Sequence, residues 1–340
     1  METCFDFNNV LIKPKMTKLT SRKHVNLIRE FYFKHTDVKI KCLPIMASNM
    51  DTVGTLGVFG TLSKYQMMTC FHKFVKLEEY KINRGILWGK EDLFAISIGF
   101  NDKELKGLVD ISEEIDFKMI CIDVANGYME KFVEFCAKVR DHFPHKIIIA
   151  GNVVTGEMTR ELILNGKVDV VKVGIGNGSA CTTRIKTGVG MPQLSAIQRC
   201  SEEAKKHGGR ILSDGGITCP GDLGKAFGAG ADFVMIGGLF AGHKENPGEV
   251  IEEDGRKFKL FYGMSSCHAM KKNYNGVNKY RTSEGRCLKI PFRGDLSETI
   301  DDLLGGLRST CTYTNTKNLE ELESNVEFML VHNQFNSSLL

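Results

Sequence analysis

The 340-residue chain lacks several features, and each lack removes a class of function. No apolar run approaches the ~20 residues that a membrane-spanning helix needs, so no membrane partner is expected. The N-terminus, METCFDFNNV, has no basic region followed by an apolar stretch, so no secretory signal is expected. The 11 cysteines contain no CxxC pair and show no metal-ligand spacing. An odd, scattered set of this kind suits a reducing compartment, and a cytosolic location is the simplest expectation. The formal net charge of +4 gives little support for a nucleic-acid partner but is compatible with a small anionic ligand. There is no internal linker and no low-complexity segment.

What is present is a globular composition, 42% hydrophobic and 25% charged, with 35 glycines. Glycine at that level exceeds the usual ~7% and implies many tight loops. From residue 43 a rhythm begins. Short apolar runs fall at 43–47, 67–71, 94–98, 119–122, 147–150, 170–173, 211–212 and 233–236, most ending in Gly, Asn, Asp or Ser. Between them lie helical patterns. Residues 129–142 put Phe132, Phe135, Cys136 and Val139 on one face. Residues 155–165 open on a Thr cap and end before Gly166, while 192–207 and 220–229 open on proline. Eight strands alternating with helices predict an α/β fold, a (β/α)8 TIM barrel. An open doubly wound sheet is the alternative, but SNMDTVGT rather than GxGxxG follows the first strand. Residues 1–41 read as an N-terminal extended segment with strand character at 25–33. A long polar insertion, about 239–295, follows strand eight and reads as a lid. Residues 297–307 are the expected last barrel helix, 316–325 a helical patch, and the end of the chain a frayed tail. A single catalytic domain over 1–340 is expected.

The stretch KVGIGNGSACTTRIKTGVGMPQ, from Lys172 to Gln193, carries five glycines around Cys181. Such density is kept where backbone takes positive φ or approaches a ligand. The loop offers a thiol, the hydroxyls of Thr182 and Thr183, and the fixed charge of Arg184. A thiol beside a cation has a lowered pKa, and the thiolate is the reactive form. An inert cysteine in a surface loop is the competing reading. Barrel strands converge on the active site at their C-terminal ends. There, Asp214-Gly215-Gly216 follows strand seven and Gly237-Gly238 follows strand eight, a pattern suited to a phosphate. Asp123-Val124-Ala125-Asn126-Gly127 ends strand four; an ordinary Asn-Gly turn is the alternative there.

The string SACTTRIKTGVGMPQLSAI closely resembles the catalytic cysteine loop of the inosine monophosphate dehydrogenase and guanosine monophosphate reductase family. NMDTVGT, DVANGY, AGNVVTGEM, KAFGAGADFVMIGG and FYGMSS extend the resemblance over nearly the whole chain. It looks like the reductase branch, because only a few residues separate His72 from Leu77, where the dehydrogenase usually carries a CBS-type regulatory domain. The lid also reads Tyr280-Arg281 instead of the dehydrogenase's Arg-Tyr pair. The resemblance implies NADPH-dependent conversion of GMP to IMP and ammonia. It implies Cys181 as nucleophile, with Thr183 and Glu284 handling protons. It places the substrate on Asp214, Gly215, Gly216, Gly237, Gly238, Gly263, Met264, Ser265, Arg281, Thr282, Ser283 and Gly285. It places the cofactor on Asp123, Val124, Ala125, Ile175, Gly176 and Tyr280. The adenosine end falls on Ser21, Arg22, Lys73, Ser309, Thr310, Cys311 and Thr312, partly from a neighbouring subunit of a homotetramer. A potassium ion is implied at carbonyls near Gly176, Gly178 and Cys181. Two departures stand out: Asn177 where a proline is common, and Met191 where a tyrosine is common. A dehydrogenase without its regulatory domain, a non-catalytic nucleotide-binding protein and a phosphosugar isomerase on the same barrel are the rival readings.

Overall fold

Val170–Val173 reads VVKV and Ile147–Val153 reads IIIAGNV, and every residue of both strands is buried. Strands covered on both faces read as continuous apolar runs, the pattern of a parallel sheet wrapped by helices. A computed structural model describes residues 1–274 and 282–331 of the chain. It shows eight such strands closed into a barrel. They are β1 (Ile45–Ala47), β2 (Met68–Phe71), β3 (Phe94–Ile98), β4 (Met119–Asp123), β5 (Ile147–Val153), β6 (Val170–Val173), β7 (Arg210–Asp214) and β8 (Phe233–Ile236). Each pairs in parallel with the next, and β8 closes on β1 through Ile236 opposite Ala47. The fold is the expected (β/α)8 barrel, and all eight strands fall on the runs read from the sequence.

The register decides what meets at the barrel mouth. Asp123 at the end of β4 stands opposite Gly151, Gly151 opposite Lys172, and Lys172 opposite Leu212. Strand β5 passes Lys172 closely at Gly151, where a Cβ would lie 2.3 Å from the Lys172 carbonyl oxygen.

The helix Glu130–His142 buries Phe132, Phe135, Cys136 and Val139 as its pattern predicts. Thr155 caps Gly156–Leu164, and Pro220 occupies the first turn of Pro220–Gly228. Pro192 sits one position earlier than expected, as the N-cap of Gln193–Lys206. The last barrel helix is longer than expected, Leu296–Tyr313 rather than 297–307. Its core stripe of Ile300, Leu303, Leu304 and Leu307 continues to the fully buried Cys311. Ser309 and Thr310 return their hydroxyls to the carbonyls of Gly305 and Gly306. The helical patch at 316–325 shrinks to the turn Leu319–Glu321 and Leu322–Asn325. Part of the expected frayed tail is instead a strand, with Phe328–Leu330 pairing antiparallel to Val10–Ile12.

At the N-terminal end, Arg29–Tyr32 and Lys39–Cys42 form a hairpin. Its Phe31 ring lies 4.2 Å from that of Phe233 at the start of β8. The insertion after β8 is more ordered than a polar lid suggests. Ile251–Glu253, Arg256–Tyr262 and Cys287–Pro291 form a three-stranded antiparallel sheet, and Cys267–Tyr274 is helical. Among the described residues no helix is long and apolar enough to cross a membrane.

Candidate active site

The C-terminal ends of the barrel strands surround a cleft of about 440 Å³. The cysteine loop forms one wall. Beyond β6 the chain turns at Gly174, whose φ is +152° and whose Cβ would lie 2.1 Å from the Asp214 carbonyl oxygen. Only glycine lets β6 and β7 approach this closely before the loop departs. Asn177 then donates its side-chain amide to that same Asp214 carbonyl at 2.9 Å, so the residue found in place of the common proline ties the loop to the end of β7.

Cys181, half-buried, faces the cleft. Its thiol donates to the Thr183 hydroxyl at 3.2 Å, and that hydroxyl donates to Glu284 Oε2 at 2.8 Å. Glu284 arrives from the insertion, 101 residues along the chain. Backbone bonds hold it there: Thr182 N–H to the Glu284 carbonyl at 2.8 Å, and Arg286 N–H to the Ala180 carbonyl at 3.0 Å. The Arg286 guanidinium also donates to the Ser179 carbonyl. The three residues thus form a continuous path from thiol to carboxylate.

Arg184 does not act as the expected cation beside the thiol. Its guanidinium pairs with Asp6 at 3.3 Å and donates to the Met191 carbonyl. The physical reason is the path of its stem, packed where Gly176 and Gly190 leave room for it. Arg184 braces the loop against the N-terminal segment, and the thiol's partner is Thr183.

The glycine pairs pack against the cysteine loop, Gly215 beside Asn177 and Gly238 beside Ser179. Gly215 and Gly216 take φ of +89° and +83°. The N–H groups of Gly216 and Ile217 have no protein partner among the described residues. Unpaired N–H groups beside a helix N-terminus, here Pro220–Gly228, suit an anion. Gly237, Gly238, Gly263, Met264, Ser265 and Gly285 line the same cleft. Ser283 lies behind them, donating to the carbonyls of Ser265 and Gly285. Thr282 is exposed. Tyr280 and Arg281 lie outside the described residues.

These observations agree with the comparison to known proteins. Residues 4–336 match the family model for the IMP dehydrogenase / GMP reductase domain. The GMP reductase of Onchocerca volvulus is 52% identical over 341 residues, covering 98% of this chain and 93% of the relative. Human GMP reductase 2 is 52% identical over 332 residues, covering 97% and 95%. The chain belongs to the IMP dehydrogenase and GMP reductase family. It is an oxidoreductase of that family.

On the cofactor side assigned by family resemblance, Asp123, Val124, Ala125, Ile175 and Gly176 line the cleft. Lys73 stands nearby, paired with Glu104 at 3.1 Å. Burial alone would raise the Glu104 pKa, but the Gly99 N–H and the Lys73 ammonium hold it below its ordinary value. Ser21, Arg22 and Ser309 form a separate cluster on the last barrel helix, with Arg22 Nε donating to Ser309 Oγ at 2.7 Å. Thr310 and Thr312 turn their hydroxyls to helix carbonyls and Cys311 is buried. The cleft-lining residues do not include these six or Lys73.

Several polar residues of the cleft had no assigned role in the sequence. Lys172, 3% exposed, lies among Asp123, Asn152 and Asp214. Burial would depress its pKa, but the two carboxylates outweigh burial and hold it well above the ordinary value. Asp123 is held low in turn: burial opposes its charge and Lys172 more than compensates. The missed signal is a lysine inside the all-buried strand VVKV, since lysine is almost never buried unpaired. Asp6 and Phe7 also line the cleft. No local signal marks them, because their partners lie far along the chain.

Proposed function

We propose that the protein catalyses the reductive deamination of GMP to IMP, with release of ammonia and oxidation of NADPH. The observation that carries this reading is the path Cys181–Thr183–Glu284, set in a cleft that also holds paired glycines suited to a phosphate. Carbon 2 of guanine is electron-poor and bears the amino group to be lost. Cys181 attacks it as thiolate, its proton passing through the Thr183 hydroxyl to Glu284. The C2–S bond forms, and the C2–N bond breaks as the same path returns a proton to the departing amine. The product of this half is a thioimidate on Cys181. When bound, NADPH supplies the hydride that replaces sulfur at C2 and frees the thiolate. Covalent catalysis divides one difficult displacement into two easier steps.

Asp214 is suited to the ribose diol. Both bonds it receives from Lys172 and Asn152 fall on Oδ2, and Oδ1 has no partner among the described residues. The nucleotide phosphate belongs at Gly215-Gly216 and Gly237-Gly238. Asp123 to Ala125 and Ile175-Gly176 line the wall that would carry the nicotinamide end. Lys73 supplies a cation suited to a 2′-phosphate, which favours NADPH over NADH. Ser21, Arg22 and Ser309 to Thr312 supply the adenosine end of a cofactor bound against a neighbouring subunit of a homotetramer. The carbonyls of Gly176, Gly178 and Cys181 would serve a potassium ion. The Gly178 oxygen already accepts the Cys181 N–H at 2.9 Å, and its second lone pair remains for the cation.

The test is product stoichiometry. Purified protein with GMP, NADPH and potassium should consume NADPH and yield IMP and ammonia in equal amounts. NAD-dependent oxidation of IMP without GMP turnover would assign the chain to the dehydrogenase reaction instead.

A further inference from the structure

An ammonium has three N–H donors, and Lys172 uses all of them: Asp123 Oδ1 at 2.8 Å, Asn152 Oδ1 at 3.0 Å and Asp214 Oδ2 at 2.5 Å. It therefore has no donor left for a ligand. Asn152, the third partner, also donates to Asp214 Oδ2 at 2.8 Å and to the Gly174 carbonyl at 2.7 Å. From β6 the side chain reaches to the end of β4 on one side and of β7 on the other. We propose that Lys172 is a positioning residue that holds Asp214, on the nucleotide side, and Asp123, on the cofactor side, as one charge-balanced unit, so that a single buried ammonium presets both subsites. This rests on the roles given to those two carboxylates above.

The reasoning is electrostatic. Without Lys172, two carboxylates share a poorly solvated mouth with no cation between them. One must take up a proton or turn away toward water. A protonated or displaced Asp214 no longer accepts from a diol as before, and a displaced Asp123 no longer shapes the cofactor wall. Both Michaelis constants should therefore rise together, although Lys172 has no N–H left to donate to either ligand. A residue with a merely structural role would lower the folded fraction, and hence kcat, without this paired signature.

The experiment compares wild type, Lys172→Met, Lys172→Arg and Asp123→Asn. It reads kcat, KM for GMP, KM for NADPH, and the alkylation rate of Cys181 by iodoacetamide in the free enzyme. In Lys172→Met each KM should rise at least about tenfold, equivalent to about 1.4 kcal/mol per subsite. Cys181 alkylation should stay near the wild-type rate, since the thiol's own partner is Thr183. Lys172→Arg keeps the charge but brings a planar fork, and should recover part of both constants in parallel. Asp123→Asn should raise the NADPH constant alone. A rise in only one constant for Lys172→Met, or in neither, overturns the proposal. If Lys172→Met does not fold, Lys172→Arg decides: the constants moving together supports the proposal, and moving separately overturns it. Wild type that fails to oxidise NADPH with GMP would refute the proposed function itself, before any variant is compared.

Discussion

Thr183→Val removes one hydroxyl and keeps the side chain's shape. That hydroxyl accepts from the Cys181 thiol at 3.2 Å and donates to Glu284 at 2.8 Å. With valine, the thiol and the carboxylate remain but the path between them is cut. Positioned acid–base groups contribute roughly 10²–10⁴-fold, or about 2.7–5.4 kcal/mol at 1.36 kcal/mol per decade. The stability cost is smaller. A neutral hydrogen bond contributes about 0.5–1.5 kcal/mol net and one to a charged group about 1.5–3 kcal/mol. Glu284 is only half-buried, so water replaces part of what is lost. Activity should therefore fall much further than stability. The assay is the initial rate of NADPH absorbance loss at saturating GMP, with a thermal melt to confirm folding and calorimetry to confirm GMP binding. Thr183→Ser should retain most activity. A Thr183→Val enzyme that binds GMP and keeps kcat within about threefold of wild type, less than about 0.7 kcal/mol, would refute the path.

Gly174→Ala should unfold at lower denaturant concentration and bind GMP more weakly, because its Cβ would strike the Asp214 carbonyl; a backbone held against its preferred φ costs about 1–3 kcal/mol. Asp169→Ala, at the opposite end of the barrel, leaves the buried Arg140 without its carboxylate and should cost about 3–5 kcal/mol in urea unfolding. The kcat of its folded fraction should be unchanged. Glu104 carries a pH signature. Its folded pKa lies below 4.5, so its contribution to stability is full above that value and is lost as pH falls through the lowered one. Glu104→Gln should flatten that acid limb in melts recorded across the range, and an unchanged limb would contradict the assignment.

The barrel was legible because its eight strands are short, apolar and closed by turn residues, and burial on both faces leaves no alternation to confuse the period. Cys181, Thr183 and the paired glycines were legible for a related reason: they sit in one continuous loop or at strand ends. What sequence reading missed is non-local. Arg184 reads as the cation that activates the thiol, yet its partner is Asp6, 178 residues away. Glu284 looks like any solvated lid carboxylate until the bridge between Cys181 and Gly285 sets it against the loop. The last helix outran its expected end because Cys311, one turn beyond Leu307, extends the buried stripe. Lys172 went unassigned because a lysine in a strand gains meaning only when strand register brings Asp123, Asn152 and Asp214 to it.

The central claim is that Cys181 forms a bond to the purine during turnover. The most direct measurement is acid quenching of the steady state with GMP and NADPH present, followed by mass spectrometry of the peptide that carries Cys181, in wild type and Cys181→Ala. A nucleotide mass on Cys181 in wild type, with no GMP-dependent NADPH oxidation in the variant, is the predicted result. Turnover that persists in Cys181→Ala would contradict the account.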